Sequence, residues 1–344
     1  MAVRRSVDKV ETRKIQKTGG STYTVSLPKY WVTASKLKEG DPVAITIDNS
    51  GLLTVDPTLG SKKPTAKVEV FVEDDETPHH FLRKLIGLYI TGYFEMVIWS
   101  KTRIQPEIRK AVRDFTRRVI GPQIVDESGV AITIQDVADH SHLDMRKILK
   151  RMHLMSRSMH ADAMEALAEG NPELAGDVVT RDDEVDRLYW FMSKQQSMMV
   201  RDPVLARKMG VSLTEASCYL QAAKAMERIA DHAARIAMRT QGLTGERVPE
   251  KLLAEMQAYG ATVTSVLDRS IESLLKRDLQ TANRVVDEAE QIRSSREPII
   301  RMLMEQKGKH AVPLALMIES LERTALYSAD IAEIAINLGC AEHE

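Results

Sequence analysis

Two pairs of carboxylates have a spacing that could do chemistry. In RDDEVDRLYW, residues 181–190, Asp182 and Asp186 are four apart, and in MERIADHA, residues 226–233, so are Glu227 and Asp231. Residues four apart share one face of a helix, where like charges repel by roughly a few tenths of a kcal/mol. A helix accepts such a pair when both acids face water or when something positive sits between them. The apolar neighbours Val185, Leu188, Met226 and Ile229 set these faces near helix–helix contacts. Four carboxylates converging there need protons, cations or a metal. Carboxylate clusters on facing bundle helices suit hard or borderline metals such as iron, manganese or magnesium. The alternative is an ordinary acidic face, with Arg181, Arg187 and Arg228 on hand to pair with the acids.

Other reactive residues are sparse. Cys218 and Cys340 are far apart, so no disulfide framework or CxxC metal site is expected, which fits a reducing cytosol. His79 and His80 open a helix and are expected in solvent, because no Cys or third His follows at helical spacing. His153 and His160 are seven apart and could face the acid pairs, although a core or surface role is expected for each. No His joins the acids in the Glu-x-x-His spacing of di-iron bundles, and no nucleophile or general base is evident. The chain is therefore not expected to be an enzyme.

The elements that must carry these residues follow from length and pattern. At about 100–200 residues per domain, 344 residues suggest two or three domains. Net charge is −1, but residues 1–60 carry nine Lys and Arg against six Asp and Glu, with Arg4, Arg5, Arg13, Lys14 and Lys17 gathered at the front. The first residues have no apolar run typical of a signal peptide. The longest apolar stretch, LIGLYITGYFEMVIW at 85–99, falls short of the ~20 residues that span a bilayer and contains Gly87, Gly92 and Glu95. A cytoplasmic protein is expected, with any membrane connection running through a partner.

Residues 1–60 read as a small all-β unit. RKIQK (13–17) and TYTVSLP (22–28) are β-prone runs joined by Thr18-Gly19-Gly20. The alternation of Tyr23, Val25 and Leu27 predicts a half-buried strand. A helical turn follows Pro28, and VAITI (43–47) and LLTV (52–55) form a hairpin across 48–51. So small a unit struggles to bury a core alone, and a dimer is the expected remedy. Residues 61–138 read as an α+β module: a strand at 66–72, a helix at 77–90 capped by Thr77, a strand at 94–100, a helix at 105–120 and a hairpin around Gly129. Its role, spacer or ligand sensor, stays open.

Residues 139–246 and 247–344 read as two three-helix bundles. The predicted helices span 141–169, 172–200, 212–241, 249–276, 278–307 and 311–338. Ser212 and Glu215 form a capping box, and Gly339 stops the last helix. An internal repeat supports the division, because MERIADHAARIA (226–237) aligns with LERTALYSADIA (321–332). A second alignment sets ALAEGNPELAGDVVTRDDEVD (166–186) on SLLKRDLQTANRVVDEAEQIR (273–293) with one gap, and there Ala289 and Arg293 stand where the first half has Asp182 and Asp186. Leu326 replaces Asp231, and Glu322 remains, beside Glu290. A second acid cluster is not expected.

Two resemblances add to this reading. Lys14, Lys17-Thr18-Gly19-Gly20, Val25-Ser26-Leu27-Pro28, Lys38-Glu39-Gly40-Asp41 and Val43 resemble the AbrB/SpoVT swapped-hairpin family, which includes MazE-type antitoxins. That resemblance implies a dimer, and DNA contact through Arg4, Arg5, Arg13, Lys14 and Lys17, whose charge suits phosphates. RDDEVDRLYW and MERIADHAARIA resemble the two motifs of the PhoU family of phosphate-uptake regulators. It implies tandem three-helix bundles and a metal held by Asp182, Asp186, Glu227 and Asp231, most often iron, with zinc, manganese or magnesium as alternatives. Where the family typically has an Asn in the third helix, Arg235 stands here. An AbrB-like front ahead of PhoU repeats is an arrangement associated with archaeal PhoU-like regulators. The resemblance implies a phosphate-responsive regulator that restrains the phosphate ABC transporter through its ATPase. The alternative is a DNA-binding transcription factor with the PhoU region as metal or phosphate sensor.

Overall fold

A computed structural model describes residues 11–47, 51–57, 66–243, 248–305 and 310–341. Arg4, Arg5 and most of the turn expected at 48–51 lie outside the described residues. The chain divides into two units, 1–65 and 66–344.

In the first unit β1 (Gln16–Thr18) and β2 (Thr22–Thr24) pair antiparallel, with Lys17 opposite Tyr23. The tight turn between them needs a positive φ, and Gly19 supplies it at +69°. After Pro28 comes the short α1 (Lys29–Ala34), then β3 (Ala44–Ile47) pairs with β4 (Leu53–Asp56). The half-buried strand expected from Tyr23, Val25 and Leu27 is not what forms. The strand ends at Thr24, and Tyr23 is 68% exposed. The reason is topological: the hairpins form two separate two-stranded sheets, and none of the described residues of the unit is buried within the single chain. Ile45, Ile47 and Leu53 are exposed as well.

The second unit opens with a four-stranded sheet of order β5-β6-β8-β7. β5 (Lys67–Phe71), α2 (Pro78–Ile90) and β6 (Glu95–Trp99) make a parallel crossover. Thr77 caps α2 by accepting from the His80 N–H, and Pro78 takes the first turn, where its missing N–H costs nothing. His79 and His80 are exposed, as expected. α3 (Pro106–Arg118) leads into the antiparallel hairpin β7 (Pro122–Glu127) and β8 (Ala131–Asp136). Period-two alternation turns Met96, Ile98, Ile132 and Ile134 to one face, where Phe81, Leu85, Ile108, Val112 and Phe115 of the two helices bury them.

The rest is helical: α4 (Met145–Glu169), α5 (Pro172–Arg201), α6 (Pro203–Met209), α7 (Leu213–Gly242), α8 (Glu250–Lys276), α9 (Leu279–Ser295), α10 (Glu297–Met304) and α11 (Ala311–Cys340). Side-chain caps at Asp144, Asn171, Ser212 and Asp278 satisfy backbone donors at four of the starts. The expected Ser212–Glu215 capping box forms in both directions. α4, α5 and α7 make one bundle and α8, α9 and α11 the other, with α7 packed along α11. The expected fold class is therefore realised: strand hairpins, an α+β module, then tandem three-helix bundles.

Three boundaries differ from expectation. Gly339 does not stop the last helix but lies inside α11, where a Cβ would meet Leu279 Cδ2 at 2.8 Å, so its role is close packing. The helix expected over 278–307 breaks at Arg296, because Pro298 disfavours helical geometry before it and lacks an N–H. The short α6 was not foreseen.

A buried polar anchor ties the module to the first bundle. Fully buried Lys194 of α5 donates to the Tyr93 carbonyl at 2.9 Å and to Asp136 at the end of β8, with Tyr89 and Phe94 rings beside its ammonium. His140 Nε2 reaches the same carboxylate at 2.7 Å, and Gln195 donates to the His140 carbonyl at 2.8 Å. Burial opposes ionisation of Asp136, but His140 and Lys194 outweigh it and hold its carboxyl below the usual range.

Candidate metal centre

The four acids meet where α5 faces α7. Val185, Leu188, Met226 and Ile229 are buried in the interface, which leaves Asp182, Asp186, Glu227 and Asp231 partly buried on its margin. The carboxyls sense one another. Burial, followed by the charges of Asp231 and Asp186, pushes Asp182 up to about 7. Burial, followed by Glu227 and Asp231, pushes Asp186 up to about 7. Desolvation and like charge thus act together on both members of the α5 pair.

The arginines that the sequence offered as counter-ions point elsewhere. Arg181 pairs with Asp162 and with Asp177 at 2.9 Å, Arg187 with Glu184 at 3.2 Å, and Arg228 lies over the Tyr327 ring. What the acids receive instead comes from α7 itself. Lys224 Nζ donates to Glu227 Oε1 at 2.6 Å, and Arg235 approaches Asp231 at 3.7 Å. Lys224 was missed in the sequence, although its place three residues before Glu227 was a readable signal.

Asp182 Oδ1 and Glu227 Oε2 are buried and have no hydrogen-bond partner. Orphaned anionic oxygens in a protein interior are costly. One from each helix, within an all-carboxylate donor set, fits a hard or borderline cation. As the side chains stand, no three His, Cys, Asp or Glu among the described residues are placed to hold one ion together.

The histidines do not join the acids. His153 Nε2 bonds Asp268 at 2.8 Å. His160 is buried, donates through Nε2 to the Ile229 carbonyl at 3.1 Å, and is pushed down to about 4 by burial. His232, next to Asp231 in sequence, is also pushed down to about 4, by burial and then Arg235, and packs beside Tyr327.

The matching face of the second bundle has the opposite solution. Glu322, the one acid retained there, is buried and held by Arg296 and by Arg293 Nε at 3.7 Å. Ala289 is buried and Leu326 partly so. Arg296 owes its place to the helix break before Pro298, a link the sequence reading did not make.

In the first unit Arg13 is paired with Glu11, while Lys14 and Lys17 are exposed and make no ion pair among the described residues.

Comparison with known proteins agrees with this architecture. The family model of the PhoU domain matches twice, over residues 149–240 and 256–335, and the acid pairs lie in the first match. The model described as antidote-toxin recognition MazE, bacterial antitoxin, matches residues 16–65. A phosphate-specific transport system accessory protein PhoU homolog of Clostridium acetobutylicum is 23% identical over 203 residues, which is 57% of this chain and 90% of that protein. PhoU homolog 1 of Thermotoga maritima, of the same description, is 24% identical over 214 residues, covering 58% and 90%. The crystal structure of PhoU from Pseudomonas aeruginosa superposes with a TM-score of 0.52 and 21% identity, over 57% of this chain and 96% of that one. At that identity the likeness concerns the fold. With one domain match on each three-helix bundle, the chain belongs to the PhoU family and carries a MazE-type domain ahead of its tandem PhoU domains.

Proposed function

We propose that this protein is a phosphate-responsive regulator that restrains phosphate uptake through contacts with the ATPase of a phosphate ABC transporter. One observation carries the reading: both bundles match the PhoU domain, and the relatives matched over 90% of their length are accessory proteins of phosphate-specific transport. The reading assigns the chain no catalytic step and takes it to act in the cytoplasm. Among the described residues no helix is long and apolar enough to cross a membrane. Pull-down of the phosphate transporter ATPase by the full chain, at high and low phosphate, tests it. Failure to form a complex at either concentration would remove the reading.

In this proposal Asp182, Asp186, Glu227 and Asp231 hold one or more cations, iron foremost, with zinc, manganese or magnesium as alternatives. The orphaned Asp182 Oδ1 and Glu227 Oε2 support it. A bound cation would supply the positive charge that offsets the four carboxylates and would tie α5 to α7. The chain's own contribution is to hold the acid pairs at the margin of a buried interface, where water cannot fully screen them. Metal content by mass spectrometry, beside an Asp182→Ala/Asp231→Ala variant, decides the point. Equal metal in both proteins, or none in either, refutes the assignment.

The first unit is assigned to dimerisation, supported by its exposed Tyr23, Ile45, Ile47 and Leu53. A second reading, a DNA-binding transcription factor with the PhoU region as sensor, rests on exposed Lys14 and Lys17 within a MazE-type domain. It predicts DNA binding that weakens steeply with salt and further when Arg13 and Lys14 are neutralised. A mobility shift insensitive to salt counts against it.

A further inference from the structure

The face of the second bundle that lacks the acid cluster borders a cleft. α9, α10 and α11 line an open cavity of about 750 Å³, and four arginines enter its wall: Arg293, Arg296, Arg301 and Arg323. Three glutamates share the wall, and two of them are already matched. Glu322 is held by Arg296 and Arg293, and Glu297 by Arg301 at 3.1 Å. Glu319 is exposed. Arg323, also exposed, makes no ion pair or hydrogen bond among the described residues.

The arginines keep donors in reserve. Arg296 uses Nη1 on Glu322 and Arg293 turns Nε toward it, and the other guanidinium nitrogens of both make no hydrogen bond among the described residues. A guanidinium offers five N–H donors in a planar fork that matches phosphate oxygens in pairs, and it stays charged at any working pH. Arg293, Arg296 and Arg323 bring three such forks to one concave surface, which suits a small, multiply charged, tetrahedral anion. Four arginines against three glutamates, with Glu322 and Glu297 already paired, disfavour a cation there.

We propose that this arginine-lined cleft of the second bundle binds a phosphate-class oxyanion, free or as the terminal group of a larger molecule. The choice of phosphate among oxyanions rests on the regulator reading above, whereas the anion site itself rests on the cleft. Arg293 and Arg296 hold Glu322 of α11 through one nitrogen each, so an occupying anion would take the remaining donors without breaking that link between α9, α10 and α11. Because α11 packs along α7, the anion cleft and the acid pairs sit on adjacent central helices.

The test is calorimetric titration of the full chain with orthophosphate, pyrophosphate and AMP, against chloride at matched ionic strength. Three proteins are compared: wild type, Arg293→Gln/Arg323→Gln and Asp182→Asn/Asp231→Asn. Both arginines are exposed, and circular dichroism with Tm verifies that the variant folds. The expected result is anion binding that weakens at least about tenfold in the arginine variant, the loss that goes with removing charge-assisted hydrogen bonds, and is unchanged in the carboxylate variant. A response to orthophosphate identifies the free anion, and a response to pyrophosphate or AMP alone identifies a carried phosphate. Absence of binding by all three anions overturns the proposal. So does binding that survives the arginine variant, or binding abolished in the carboxylate variant. A chain that still captures the transporter ATPase yet binds no anion loses this inference and keeps the regulator reading. Anion binding without ATPase capture does the reverse.

Discussion

The two bundles share a fold and place opposite chemistry on matching faces. In the first, α5 and α7 present four acids whose neighbours supply one lysine and one distant arginine. In the second, a single buried glutamate is held by two arginines. The difference teaches that a repeat's core and its site are separable. Small and apolar residues such as Ala237 and Ala332, in the matching ends of the two repeat motifs, are buried in both halves, while the polar margin is free to change sign. Acids on both helices raise one another's affinity for protons, whereas acid on one and arginine on the other leave the charge satisfied from within.

The largest effect is expected outside both faces and calibrates them. Lys194→Ala strands buried Asp136 without its ammonium and should destabilise the protein by about 3–5 kcal/mol, read from urea unfolding. An effect below ~1 kcal/mol would show that burial of a charged pair is a poor guide to either bundle. Next, Arg296→Ala should cost about 2–3 kcal/mol, less than Lys194 because the Arg296–Glu322 pair is less deeply buried than Lys194–Asp136. If Arg296→Ala is neutral, the second bundle's self-sufficiency is refuted.

The first bundle should respond with the opposite sign. Its two α5 carboxyls have folded-state values raised to about 7, so the neutral form is favoured by folding. The stability they contribute is complete below pH ~4 and is lost as pH rises through ~7. In metal-free protein Asp182→Asn should therefore stabilise by about 1–2 kcal/mol at pH 8, a figure discounted for partial exposure, and should be near neutral at pH 4. Thermal melts at the two pH values decide it, and a destabilised variant at pH 8 would mean that the acids are well paired in the absence of metal. The smallest effect belongs to the first unit. Lys14→Gln/Lys17→Gln should change stability by less than about 0.5 kcal/mol, because both side chains are exposed and unpaired within the described residues. A larger loss in Tm would point to a contact made between copies of the chain.

Much of the acid site was legible in advance because it is local. Spacing of four, with apolar residues between, placed both pairs beside a helix interface before any coordinates. The capping box at Ser212 and the strand–helix–strand order over 66–100 were equally local, although the parallel pairing of the two strands was not read from the sequence. The misreadings share a different cause. Gly339 carries the usual mark of a helix end, yet a neighbour in space, Leu279, requires a missing side chain there. Tyr23, Val25 and Leu27 alternate as a half-buried strand should, yet the strand ends at Thr24 and all three residues are exposed. Arg181, Arg187 and Arg228 adjoin the acids in sequence, but rotation about the helix axis sends their long side chains to Asp162, Glu184 and Tyr327.

Sequence by itself determined the long helices, the caps at Thr77 and Ser212, the repeat and the charge each face would carry, since these depend on residues within a few turns of one another. Only the tertiary structure decided which charges meet. Lys194 finds Asp136 across 58 positions, and Arg296 finds Glu322 across 26 after a break set by one proline. Electrostatic partnership depends on separation in space and on desolvation, and both arise only once helices distant in the chain have packed.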